Sequence, residues 1–325
     1  MNLTGDRSKV SIVMSVFGYE EYVQDSIGSV LKQTFKNIEF IIIDDDCGYD
    51  LYKIIREFDD KRIVYIKNKK NMGLTKSLLK GINEATGKYI ARQDAGNISL
   101  ANRINIQYNY LENNKDYYLI GSSVILIDEN NQEICKIAAN SDLDFIRREM
   151  PRHNCINHST IMFRNMGENI YREKFRYSQD YDFYLNLLSR GIVFGNISDI
   201  LLKERLMPDS ITYAKRNEQR TFENFARDFY FERMKHGGRD NYDLLDSGKS
   251  IDKSEKSAGK KNNSIYFNRQ KAYFLVYSGK LKITREFING VFKKKFDIKL
   301  LLYFLLSYFP FLVRILSKIR KMNLK

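Results

Sequence analysis

Two hydrophobic patterns alternate along the first hundred residues. Short, continuous apolar runs rich in β-branched residues recur at Lys9–Val16, Phe40–Ile43, Ile63–Ile66 and Tyr89–Ala91. Between them lie stretches with apolar residues at helical spacing. Glu20–Gln33 carries Tyr22, Val23, Ile27, Val30 and Leu31 on one stripe, and Leu51–Phe58 and Leu74–Ala85 follow the same period. A run that is apolar at every position reads as a strand buried on both faces. Such strands alternating with amphipathic helices predict an α/β fold with a mostly parallel central sheet. Ligands of these sheets bind beyond the carboxyl ends of the strands, which puts Ser15, Asp44 to Asp46 and Arg92 to Asn97 on one rim.

The pattern continues with a helix over Ala101–Leu111 and a strand over Tyr118–Ile127, which ends in a turn at Asp128–Asn131. A short strand at Thr160–Phe163, a helix at Tyr181–Leu188 and a strand at Ile200–Lys203 complete this part. After Ser210 the character changes. Glu218–Met234 reads as a long helix, 237–264 as a polar linker, and Ile265–Phe296 as a helical hairpin broken at Ser278-Gly279. The expected division is an α/β domain over 1–213, a helical extension over 214–236, the linker over 237–264 and a basic amphipathic helical tail over 265–325.

Charge sharpens the contrast between the parts. Residues 239–325 hold 20 Lys/Arg against 7 Asp/Glu, whereas residues 1–238 hold 34 against 33. The tail therefore carries nearly all of the net +14. Leu300–Val313 is a run of 14 residues without a charge, interrupted by Pro310 and shorter than the ~20 that a membrane span needs. Lys293 to Lys295 precede it, and Arg314, Lys318, Arg320, Lys321 and Lys325 follow. Apolar residues flanked by cations predict a segment lying in a membrane interface, with the protein peripheral on the inner face of the cell membrane. The competing readings are packing against the α/β domain or a second copy of the chain, as in a homodimer, and nucleic-acid binding through Tyr266, Phe267, Tyr273, Phe274 and Tyr277. No recognised nucleic-acid motif supports the last, and no nucleic-acid partner is expected. Cys47, Cys135 and Cys155 are too few and too widely spaced for a disulfide framework, which fits a reducing cytoplasm. The first apolar run, Val10–Phe17, reads as a strand and not as a signal peptide.

A series of motifs runs through the α/β part in order: Val10-Ser-Ile-Val-Met-Ser-Val-Phe17, Ser29-Val-Leu-Lys-Gln-Thr-Phe-Lys36, Phe40-Ile-Ile-Ile-Asp-Asp45, Asn71-Met-Gly-Leu74 and Gly87-Lys-Tyr-Ile-Ala-Arg-Gln-Asp-Ala95. His158-Ser-Thr-Ile-Met-Phe-Arg164 and Gln179-Asp-Tyr-Asp182 follow. Over roughly 9–213 this series resembles the family 2 glycosyltransferases with a GT-A fold. The resemblance implies inverting transfer of a sugar, of hexosyl type, from a nucleotide-diphosphate donor to a glycan or lipid-linked acceptor in surface polysaccharide biosynthesis.

It also implies roles for single residues. Carboxylates suit the N–H and O–H donors of a nucleoside. Asp45 would accept from the base, Asp44 would support the same rim, and Ser15, Phe17, Lys76 and Asp94 would complete the nucleotide contacts. Asp180 would be the general base that takes the acceptor's proton. His158 and Asp182 would stand on the acceptor side. The family's Asp-x-Asp element, which holds Mn2+ or Mg2+ against the leaving diphosphate, reads here Asp94-Ala95-Gly96-Asn97. Asp94 matches as a metal ligand, but Gly96 stands where the chief metal-binding acid is expected. Arg205 is kept in the closing loop, and Met207 stands where the family often has a histidine. His153, His158 and His236 are too few for a structural zinc site. The alternative to an active enzyme is a non-catalytic relative that binds a nucleotide sugar and partners an active transferase.

Overall fold

The computed structural model describes residues 9–208, 210, 215–245 and 259–323, with 259–263 and 318–323 as backbone only. The α/β part runs β1 (Val10–Val16), α1 (Glu20–Leu31), β2 (Ile38–Asp44), α2 (Leu51–Arg56), β3 (Ile63–Lys67), α3 (Leu74–Glu84), β4 (Tyr89–Asp94), β5 (Ile98–Ser99) and α4 (Arg103–Asn113). It continues with β6 (Tyr117–Ile127), β7 (Glu133–Ile137), α5 (Leu143–Glu149), β8 (Met162–Arg164), α6 (Gln179–Ser189), β9 (Val193–Arg205) and α7 (Arg216–Lys235). The sheet order is β3-β2-β1-β4-β8-β6-β9-β5, with β7 paired to β6. The expected parallel block is there: β1 pairs in parallel with both β2 and β4, and β2 with β3. β8 then runs antiparallel between β4 and β6.

The buried strands explain this block. β2 is buried at every position, and Ile12, Met14, Phe40 and Ile42 meet Val23, Ile27 and Val30 of α1 in one core. Asp50 caps α2 by accepting from the Lys53 N–H at 3.1 Å. Register then lines up the carboxyl ends. Ser15 lies opposite Ile43 on one side and Asp94 on the other, Val16 opposite Asp44, and Asp44 opposite Lys67.

Several elements differ from expectation. β9 runs 13 residues, far beyond Ile200–Lys203, because its outer half alternates polar and apolar residues without a continuous run. β5, β7 and α5 are too short to establish a period. The helix over Arg216–Lys235 is not a separate extension. From Asn217 on it belongs to one compact unit with the described residues of 1–124 and 137–204. Its stripe of Phe222, Ala226 and Phe229 is buried, and Phe222 packs its ring 5.7 Å from that of Phe175.

The second unit comprises Ile125–Lys136 and the described residues of 205–216 and 259–323. Its helices are α8 (Gly259–Tyr277), α9 (Leu281–Phe292), α10 (Ile298–Leu306) and α11 (Pro310–Asn323). The hairpin break falls at Ser278-Gly279 as expected, with Gly279 at φ +78°. Residues 246–258 of the expected linker lie outside the described residues. The linker nevertheless ends earlier than 264, since α8 begins at Gly259 in polar sequence that offers no apolar period to read. Ala272, Ile288 and Leu300 form a small core in this unit, and Arg269 pairs with Asp297 at 2.5 Å.

Candidate functional site

Two groups of side chains gather at the carboxyl ends of the parallel strands. The first follows β2. Asp44 is buried; its carboxylate accepts from the Tyr65 hydroxyl at 2.7 Å and from the Cys47 N–H at 3.0 Å. Despite the opposing cost of burial, these bonds hold its carboxyl below the usual carboxylate range. Asp45 faces the next loop. It accepts from the Asn68 amide at 2.8 Å and from the backbone N–H groups of Met72 and Gly73 at 2.8 and 2.9 Å. Both Asp45 oxygens are thus engaged in shaping the Asn71-Met-Gly-Leu74 turn. An open pocket of about 480 Å³ beside Asp44 is lined by Asp46, Cys47, Gly48, Tyr49, Asp50 and Lys67. Ser15 is half-buried on the rim, and Phe17 is exposed just past β1.

The second group follows β4. Along this strand Ala91 and Gln93 turn toward one side of the sheet, and Arg92 and Asp94 toward the other. Arg92 is buried to 6% exposure and places Nη2 2.5 Å from Asp94 Oδ1. Around it stand His158, Tyr171, Asp180, Tyr184 and Glu204, each of which feels the Arg92 charge. The His158 Nε2 and the Tyr171 hydroxyl are 2.6 Å apart. Asn154 donates to Asp180 Oδ2 at 2.9 Å, and Asn157 donates to Glu204 Oε2 at 2.6 Å.

Burial sets the proton affinities here. Asp180 and Glu204 keep a solvent-touched edge but sit deep enough that desolvation raises both carboxyls above their ordinary range. Asp94 adds to the rise at Glu204. Burial, then Arg92, pushes His158 well below its usual value, so the imidazole is neutral at physiological pH. Two polar atoms in this cluster, Arg92 Nε and the Tyr184 hydroxyl, are buried without a hydrogen-bond partner among the described residues. Buried polar groups are normally satisfied, so such orphans mark a place where a ligand or ordered water belongs.

Not every expected residue joins this cluster. Asp182 is held by Arg172, with Nε 2.7 Å from Oδ2 and a second bond from Nη2 to Oδ1. Arg172 also reaches Asp240 at 2.7 Å, which Arg233 meets at 2.5 Å. The expected acceptor-side Asp182 is therefore bound up in a buried ion network. Lys76 is exposed on α3, 3.8 Å from Glu173. Arg205, kept from the closing loop, donates to the Asp128 carbonyl at 2.9 Å and to Asn131 Oδ1 at 2.6 Å in the second unit. Conversely, Tyr171, Asn154, Asn157 and Glu204 were not singled out by sequence; only their proximity in the fold reveals them.

The residues present do not fit a metal ion at the degenerate Asp-x-Asp element. Among the described residues, no three His, Cys, Asp or Glu side chains converge to hold one. Magnesium or manganese is commonly held by one or two carboxylates with substrate phosphates and waters, but Asp94, the one carboxylate left in this element, already shares an oxygen with Arg92. Gly96 occupies a tight turn closed by the Asn97 N–H to the Asp94 carbonyl at 3.2 Å, with φ +93°. A Cβ built there would lie 3.0 Å from the Tyr19 ring. Backbone and neighbour both select glycine, so the missing acid is a built-in feature of the turn.

Comparison with known proteins follows the same lines. The family model described as "Glycosyl transferase family 2" matches residues 11–173. An uncharacterized glycosyltransferase of Methanocaldococcus jannaschii is 35% identical over 240 residues, covering 71% of this chain and 82% of its own length. The O-antigen biosynthesis glycosyltransferase WbnJ of Escherichia coli is 31% identical over 208 residues, covering 61% and 79%. Among solved structures, S. aureus TarS residues 1–349 in complex with UDP aligns with a TM-score of 0.51 at 11% identity, covering 86% of this chain and 83% of that one. That likeness bears on the fold alone, and it agrees with the GT-A arrangement of the sheet.

Proposed function

This chain belongs to glycosyl transferase family 2, and from that premise we propose that it transfers a hexosyl unit, with inversion, from a nucleoside-diphosphate sugar to a hydroxyl of a glycan or lipid-linked acceptor. The observation that carries the reading is the cluster of side chains after β4, where Asp180 has a carboxyl raised by burial and stands within reach of the Arg92 charge. In the step, the acceptor oxygen bonds to the anomeric carbon. The bond from that carbon to the diphosphate breaks, and its electron pair leaves with the diphosphate. The hydroxyl proton passes to Asp180, whose raised affinity suits a general base working near neutral pH. The rim after β2 would hold the nucleoside, with Asp46 to Asp50 and Lys67 lining the pocket, Asp44 buried behind them and Asp45 shaping the neighbouring loop.

Relatives named for O-antigen and amylovoran biosynthesis support a role in surface polysaccharide assembly. The TarS structures with UDP and UDP-GlcNAc make uridine donors the first to try. The experiment is turnover against a panel of nucleotide sugars and acceptors, with Asp180→Asn as control. Transfer that falls about 10²- to 10⁴-fold in the variant supports the reading. Nucleotide-sugar binding without turnover under any condition supports instead the non-catalytic binder that the degenerate Asp-x-Asp element suggests.

The second unit motivates a membrane role. Among the described residues no single helix is long and apolar enough to cross a membrane, but α10 and the start of α11 form an apolar pair bent by 104°. Ile298, Leu302, Phe309 and Phe311 are exposed on it, beside exposed Lys293 to Lys295, Lys299 and Arg314. An exposed apolar surface ringed by cations matches an anionic lipid interface. A sharply bent pair suits lying in that interface, because irregular backbone exposed to lipid is not tolerated within the hydrocarbon. Peripheral attachment at the inner face of the cell membrane follows as part of the proposal.

A further inference from the structure

Departure of the diphosphate needs positive charge close to it, and in this chain the usual source does not fit. Asp94 is committed to Arg92, and Gly96 is fixed by its φ of +93° and by the Tyr19 ring. Two arginines flank the turn, Arg92 on the strand before it and Arg103 on the helix after it. Arg92 lies on the cluster side of β4. Arg103 lies on the opposite side, wholly buried beneath the turn, and donates from Nη2 to the Arg92 carbonyl at 2.6 Å. The other Arg103 bonds go to the neutral acceptors Gln107, Gln93 and Ser99, at 3.1, 3.2 and 2.9 Å, so no carboxylate bonded to it cancels its charge. Asp94 is the carboxylate that Arg92 pairs with directly, and its charge also reaches Arg103.

We propose that Arg92 is the cation that receives the donor's diphosphate, so that binding and transfer proceed without a divalent metal. The proposal rests on the nucleotide-sugar reading above and adds which charge does the work. One observation and two physical arguments converge on it. Arg92 Nε is buried and without a partner among the described residues, so the guanidinium has bonding capacity left. A planar guanidinium matches phosphate oxygens in a fork, and does so most strongly in a site that excludes water. A divalent ion at Asp94 would also stand against the Arg92 charge 2.5 Å from that carboxylate, a repulsion that a diphosphate anion does not meet. When the anomeric bond breaks, the electron pair moves onto the diphosphate oxygen, and the Arg92 charge offsets it in place. Nothing else is consumed or produced.

The test uses the full chain and four probes, UDP, GDP, CDP and dTDP, titrated by calorimetry in EDTA and again with Mn2+. The expected result is that at least one binds with the same Kd in both, within about threefold, and that Arg92→Gln weakens it roughly 10- to 100-fold while Arg92→Lys weakens it less. Binding that disappears in EDTA and returns with Mn2+ overturns the proposal. So does an Arg92→Gln protein that binds as tightly as the parent. The chelator arm uses the unmodified protein, so a poorly folding variant does not blunt it. If none of the four binds under either condition, the nucleotide-sugar reading itself falls, and this proposal falls with it.

Discussion

At Gly96 the backbone lies where an L side chain is strained, and the Tyr19 ring closes the space a Cβ would take. Restoring the family's acid by Gly96→Asp is therefore expected to cost about 1–2 kcal/mol of stability, read from a denaturant midpoint, without creating Mn2+ binding. Asp180 makes a different prediction. Its carboxyl is raised in the folded protein by burial. An unfolded carboxyl releases its proton near ~3.9; above that pH the unfolded state ionises first. Stability is then full below the unfolded value and declines as pH rises through the folded one. Asp180→Asn removes that penalty, so its melting temperature at pH 7 should equal or exceed the parent's while turnover collapses. The parent's kcat/KM should also rise with pH through an acid limb lying above the ordinary Asp range. A melting temperature that falls in the variant would count against this account of Asp180. Asp44, Asp94 and Asp180 were singled out in the sequence because the family motifs assign them roles, and the fold brings Asp94 and Asp180 to the same Arg92. Arg92 was read only as part of a rim. Its partners Tyr171 and Glu204 lie some 80 and 110 positions away, and no local pattern announces them.

The elements around the Arg92 cluster are braced by the ion network of Arg172, Asp182, Asp240 and Arg233, which ties the start of α6 to the end of α7 and the segment after it. Asp182 is almost fully buried, and desolvation raises its carboxyl even against Arg172. Arg172 also lies 4.3 Å over the Tyr242 ring. Removing the guanidinium in Arg172→Met leaves a buried carboxyl unpaired, which is expected to cost about 3–5 kcal/mol in a denaturant titration. A loss below 1 kcal/mol would mean that the network relaxes around the gap. At this scale the sequence spoke clearly for helices with one apolar stripe, α1 to α4, and for the apolar runs of β1 to β4, although β3 turns out only partly buried. It spoke poorly for β9, where polar positions alternate with apolar ones. It set α7 apart from the α/β part, because Phe222, Ala226 and Phe229 mark a stripe to be buried without naming Phe175, the ring it covers.

For the molecule as a whole, the decisive feature is the separation of charge between a nearly neutral α/β part and a strongly basic tail. In the second unit the small core of Ala272, Ile288 and Leu300 leaves much apolar surface of α10 and α11 outside it. Leu302 is 57% exposed and Phe311 72%. Each such side chain gains about 1.5–3 kcal/mol if buried, and each nearby Lys or Arg adds about 1 kcal/mol at an anionic surface. The full chain should therefore sediment with vesicles containing anionic lipid and much less with neutral ones, and added salt should weaken the binding. Leu302→Glu with Phe311→Glu removes two apolar anchors and adds two charges of the wrong sign, so the bound fraction should drop more than about tenfold in partition coefficient. Because both positions are exposed, the same variant should keep its melting temperature. A chain that ignores anionic vesicles but shifts to a concentration-dependent dimer would assign this surface to a second copy. Salt-sensitive RNA binding that survives the double substitution would assign the basic charge to nucleic acid.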